Sequence, residues 1–108
     1  MTSKRTDENE QVQIGLRGLH RLLGHRTRLG ICVLLARNDQ LSFRRLRELL
    51  DETDGSLGAQ LRKLEDESLV VVKKEFRDRK PVSWYALTDQ GRVTLDAHLE
   101  AMQQLMRE

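Results

Sequence analysis

The chain has 108 residues, 38% of them hydrophobic and 33% charged, with a formal net charge of +2. That length supports one real core and not two, and no apolar run is long enough to cross a membrane. The single cysteine, Cys32, excludes an intrachain disulfide and a multi-cysteine zinc cage. Lying in "LGICVLLA", it reads as a small buried hydrophobe.

The opening "MTSKRTDENE" is polar and lacks an apolar signal-peptide core, so residues 1–10 read as a disordered tail on a cytoplasmic protein, and 11–108 as one domain. Val12, Leu16, Leu19 and Leu23 recur at helical spacing and predict a first amphipathic helix. Gly15 and Gly18 weaken that helix or let a neighbour pack closely against it. A second helix starts at Thr27, read as its N-cap, and ends at Asn38-Asp39. "LSFRRLRELL" predicts a third, capped by Ser42, with Phe43, Leu46, Leu49 and Leu50 as its buried stripe.

After the acidic turn "DETDG" a fourth helix, 54–67, is capped by Thr53 or Asp54 and carries Leu57, Leu61 and Leu64 on one face. Its front is nearly bare: Gly55, Ser56, Gly58 and Ala59. Each glycine costs roughly 1 kcal/mol against alanine in a helix interior. The period then changes to that of strands. "LVVVKKEF" and "PVSWYAL" flank "RDRK" and predict a hairpin, about 70–87, with a basic tip. Pro81 suits an edge, and alternation turns Tyr85 and Leu87 to the core and Trp84 to the other face. A last helix, about 89–107, begins at Thr88 or Asp89 and carries Leu95, Leu99, Met102 and Met106. Charge is segregated: "KKEFRDRK" holds five basic and two acidic residues, while Val93 to Glu108 holds one arginine and three acids.

Two short helices joined by a tight turn, the second with a small polar front, describe a helix-turn-helix, and the hairpin directly after it is a wing. The turn is acidic, with Asp51 and Glu52 where such turns often carry a glycine and an apolar residue. "LGHRTRLGICVLLA" resembles the first core helix of ArsR-type regulators, and "TDGSLGAQLRKLEDESLVVVKKEF" with "RKPVSWYALTDQGR" resembles small MarR/ArsR-like winged-helix proteins. The likeness covers roughly residues 22–105. It implies an α+β, mostly helical winged helix-turn-helix with N- and C-terminal dimerisation helices. In function it implies a dimeric regulator that puts its third core helix into the DNA major groove.

On that reading the glycines let the front of helix 54–67 sit deep in the groove, with first-turn N–H groups free for a phosphate. Helix packing is the competing reason for them. Base readout falls to Ser56 and Gln60, with Lys63 one turn on: glutamine can bond adenine in two-pronged fashion, and lysine suits guanine or phosphate. Asp54 caps, accepts from cytosine or repels phosphate, and Gly55 and Ala59 complete the approach surface. Lys73, Lys74, Arg77, Arg79 and Lys80 are expected on the phosphate backbone, with Arg77 or Arg79 reaching the minor groove. Both terminal helices have apolar stripes that the central core cannot fully cover. A homodimer is expected to bury Val12, Leu16, Leu19, Leu23, Leu95, Leu99, Met102 and Met106. The competing arrangement is a monomer whose terminal helices wrap back over its own core.

No cofactor and no metal are expected. Asp96-x-His98 resembles the opening of a zinc site in the last helix of ArsR-like sensors, but no second ligand pair follows, and His20, His25 and His98 are scattered. "GSLGAQ" lacks the strand and the Lys-Ser/Thr ending of a phosphate loop, and no catalytic set can be assembled, so an enzyme is not expected. The expected partners are double-stranded DNA and a second copy, with no membrane and with any small-molecule effector unknown. The alternatives are a winged helix for protein–protein contact and a non-specific DNA packager.

Overall fold

The computed structural model describes residues 2–107, with side chains from Asp7 onward. Helix α1 spans Thr2–Gly18, α2 Arg26–Arg37, α3 Phe43–Leu50, α4 Asp54–Asp66 and α5 Asp89–Met106; strands are β1 Leu41–Ser42, β2 Val70–Arg77 and β3 Lys80–Leu87. Residues 2–10, expected as a disordered tail, are therefore helical: no proline or glycine interrupts α1 before Gly15, and its lysine, arginine, glutamate and glutamine residues are good helix formers. The helix stops at Gly18, so Leu19 and Leu23 do not continue its stripe. Leu22 and Leu23 instead form a buried 3-10 turn, Arg21–Gly24.

His25, not Thr27, caps α2, its Nδ1 accepting the N–H of Thr27 at 3.2 Å. Thr27 lies two residues past the cap, inside the first turn, and its hydroxyl donates to Glu52 Oε1 at 2.6 Å. Ser42 caps α3 as expected, but Leu49 is exposed rather than part of its buried stripe. The acidic turn is accommodated residue by residue. Asp51 takes the left-handed conformation, φ 52°, that glycine often fills. Glu52 turns back to α2, and the Thr27 hydroxyl there, then the Ser56 hydroxyl of α4, hold its carboxyl below the usual range.

The sheet order is β1-β3-β2, all antiparallel. The two-residue strand β1 escaped the sequence reading because it is too short for a period; it pairs Leu41 with Tyr85 and Ser42 with Trp84. It stops short of Pro81, whose missing N–H therefore interrupts no β1 ladder. Leu57, Leu61 and Leu64 of α4 join Ile31, Leu35 and Leu46 in the core. Burial in that core pushes the Cys32 thiol up to about 11, as an inert hydrophobe.

α1 lies along α5. A Cβ on Gly15 would stand 2.8 Å from Leu105, and one on Gly18 2.9 Å from Ala101, so both glycines serve close helix packing. The paired helices extend away from the core. The radius of gyration is 17.1 Å and the long axis 69 Å, against about 13 Å for the radius of a compact chain of this size. They do not wrap back over it.

Candidate nucleic-acid interface

α4 is held from behind and bare in front. Thr53 Oγ1 accepts the N–H of Ser56 at 3.1 Å, capping the helix. Asp54 Oδ1 accepts from Arg47 Nη1 at 2.8 Å, an exposed bridge that ties α3 to the start of α4. Such a pair contributes up to about 1 kcal/mol; it links α3 to α4 and offsets the charge of Asp54 beside the open front of α4. A Cβ placed on Gly55 or Gly58 meets nothing within 4 Å, so the packing explanation for these two glycines fails. Gly55, Ala59 and Lys63 lie on the exposed arc, with Ser56, Gly58 and Gln60 half-buried at its borders. Arg62, absent from the sequence-derived set, is exposed on the same arc. Its spacing from Gly55 and Ala59, 7 and 3 residues, was the available signal.

Gln60 is not free. Its Oε1 accepts from Arg28 Nη1 at 2.6 Å, and Arg28 Nε donates to the Leu22 carbonyl at 2.7 Å. Composition and spacing cannot reveal such a contact, because it crosses from α2 to α4.

The wing is a two-residue hairpin closed by Arg77 and Lys80. Asp78 and Arg79 at its tip both have positive φ, 53° and 67°, the pair of values that a type I′ turn requires and that Asn-Gly usually supplies. All five expected basic residues are exposed, but they do not share a face. Pairing places Lys74 with Phe76 on the core-side face and Lys73, Arg77 and Lys80 on the other. Arg77 lies over Trp84, 5.4 Å from the ring centroid, while Trp84 Nε1–H donates to Glu75 at 2.9 Å. Trp84 thus belongs to the wing. Phe76, 78% exposed beside Pro81, was also missed; its strand periodicity matched the core face and gave no sign that the core ends before the tip.

The expected dimer residues divide. Leu23 and Leu95 are buried in the chain's own core and offer no surface to a partner, which corrects that part of the set. Leu19 is half-buried, while Val12, Leu16, Leu99, Met102 and Met106 are exposed. The face of α5 turned to α1 carries Ala101 and Leu105, beside buried His98, not the 99, 102, 106 stripe. His98 Nδ1 accepts the N–H of His20 at 2.9 Å, so these two histidines are neighbours rather than scattered. Burial, and then the proximity of His20, lower the His98 pKa. Among the described residues no group of three or more His, Cys, Asp or Glu side chains converges as a metal site, and no helix is long and apolar enough to cross a membrane.

The winged helix DNA-binding domain family matches residues 27–106. No curated protein matches the sequence. Among solved structures, a transcriptional regulator homologue from Pyrococcus horikoshii OT3 is 28% identical, with a TM-score of 0.79 over 90% of this chain and 94% of that one. YusO from Bacillus subtilis is 15% identical, with a TM-score of 0.70 over 97% and 72%. Lactococcus lactis ZitR, solved in complex with DNA, is 21% identical, with a TM-score of 0.58 over 75% and 54%. At those identities the last two speak for the fold alone. A capped helix with an open front, a hairpin directly behind it and a family match over most of the domain agree: the chain belongs to the winged helix DNA-binding domain family, a non-enzymatic family of DNA-binding regulators, with a fold like that of ZitR, a MarR family member.

Proposed function

We propose that the protein is a sequence-specific, homodimeric transcriptional regulator that places α4 in the major groove and its wing on the backbone or minor groove. The observation that carries this is the pair Gly55 and Gly58 in open space on a well-capped helix. They cost stability and serve no packing, so a surface that must be approached closely is what gives them a purpose. The wing supports it. Arg79 occupies a positive-φ position that disfavours arginine, and retaining a costly residue there points to use of its side chain. Homodimerisation is supported by the projecting α1–α5 arm, with Val12, Leu16, Leu99, Met102 and Met106 exposed along it.

Selection from a random duplex library at physiological salt tests this, with light scattering on the same sample. The expected result is a particle of twice 12.6 kDa and an enriched palindrome with half-sites about one helical turn apart, roughly 34–36 Å. Retention without enrichment would assign packaging instead, and no retention would leave a protein-contact module.

A further inference from the structure

We propose that Arg28 is a positioning residue that holds Gln60 as a hydrogen-bond donor toward DNA, so that α4 selects a keto base at one position of each half-site. The proposal rests on the reading of α4 as the recognition helix. A guanidinium has donors only, so the atom of Gln60 that faces it is necessarily the oxygen. The contact is short, charge-assisted and partly buried, and Arg28 is itself anchored through Nε to the carbonyl of buried Leu22. Gln60 therefore has its oxygen drawn toward α2, which leaves the two Nε2 hydrogens for an outside partner. Two-pronged recognition of adenine needs the oxygen and nitrogen of one amide turned together to N6 and N7. That arrangement is broken here. Guanine offers O6 and N7 and thymine offers O4, all acceptors, whereas cytosine presents its N4 amino group and adenine sets its N6 amino group beside a single acceptor, N7. An outward NH2 group thus favours guanine first and thymine second, and is repelled by an amino group.

The experiment compares duplex-library selections by the full chain and four variants. Gln60→Ala identifies the position Gln60 reads, as the one whose enrichment it flattens. At that position the parent is expected to prefer guanine or thymine over adenine by about tenfold, the scale of one good base contact. Arg28→Met releases the amide and is expected to move the preference to adenine, while Arg28→Lys, still a donor to Oε1, keeps the keto base. Gln60→Glu is acceptor-only and is expected to turn the preference to cytosine, which keeps the test open should Arg28→Met fail to fold. A merely structural Arg28 would weaken binding without changing the base chosen. An unchanged preference in a folded Arg28→Met variant, an adenine already preferred by the parent, or no position flattened by Gln60→Ala each overturns the proposal while leaving the regulator reading in place. No enriched sequence for the parent overturns both.

Discussion

Alanine at Gly55 and Gly58 should make the protein more stable and a worse binder of its DNA. Neither glycine has a positive φ, and a Cβ at either site meets no atom within 4 Å, so alanine enters without strain. Gly58 is in the interior of a 13-residue helix, where the exchange is worth about 0.8–1 kcal/mol. Gly55, in the first turn, contributes less. The double variant should gain on the order of 1–1.5 kcal/mol, and roughly 4–8 °C in Tm per kcal/mol for a chain near this size. A methyl on Gly55 stands exposed at the front of α4 and, on the proposed docking, would hold the helix away from the groove floor. Loss of one base contact, about 1–3 kcal/mol, lowers affinity tenfold or more. Urea unfolding at fixed protein concentration gives the first number, and fluorescence anisotropy on the selected duplex gives the second. A variant that is more stable and binds equally well would show that the glycines serve no groove contact. A destabilised variant would show that the front of α4 is not open.

Arg79→Gly relieves a left-handed arginine, so it should stabilise the wing by about 1 kcal/mol while weakening DNA binding and making the log–log salt slope shallower by about one, measured by titration at several salt concentrations. Gly91→Ala drives a Cβ into the Leu69 carbonyl oxygen, which is fixed by the Thr88 N–H and hydroxyl. It should cost about 2 kcal/mol or more by urea unfolding, and a neutral result would refute that contact. His98 has its pKa lowered in the fold, so the stability it lends is fully present above about pH 6.5 and is lost as pH falls through the lower folded value. Its Nδ1 cannot accept from His20 once protonated. Tm should therefore drop between pH 7 and 5, less steeply in His98→Asn, and equal slopes would remove His98 as the cause.

Local rules made much of this fold legible. Ser42, Thr53 and Thr88 cap helices as their positions suggest, Leu57, Leu61 and Leu64 are buried together, and the period change after Ser68 marks the wing. What escaped is set by tertiary placement. Leu95 and Leu99 share a stripe, yet only Leu95 meets the core, because α5 runs past the core's edge. Phe76 and Tyr85 share a strand face, yet only Tyr85 lies where the core reaches. The candidate interface was legible as residue types and spacing. The links from Arg28 to Gln60, Arg47 to Asp54 and Trp84 to Arg77 are side-chain meetings between separate elements, and no period encodes them.

Four of the seven glycines form two pairs that do opposite things, and their contrast ties the arm to the proposed reading head. Gly15 and Gly18 are filled by their neighbours, Leu105 and Ala101, so α1 and α5 close into a tight two-helix arm. Gly55 and Gly58 are filled by nothing. Close packing on one side and vacancy on the other suit two different demands. A dimer that reads a palindrome needs its two heads at a set separation, which a closely packed arm supplies. The head itself needs a front that yields room to the duplex. In the proposed regulator, spacing between half-sites would be a property of α1 and α5, base choice a property of α4 and the Arg28 behind it, and the wing would add affinity that follows salt more than sequence. The proposed recognition helix is thus stabilised from its back, through Thr53, Arg47 and three buried leucines, while its front is left uncovered.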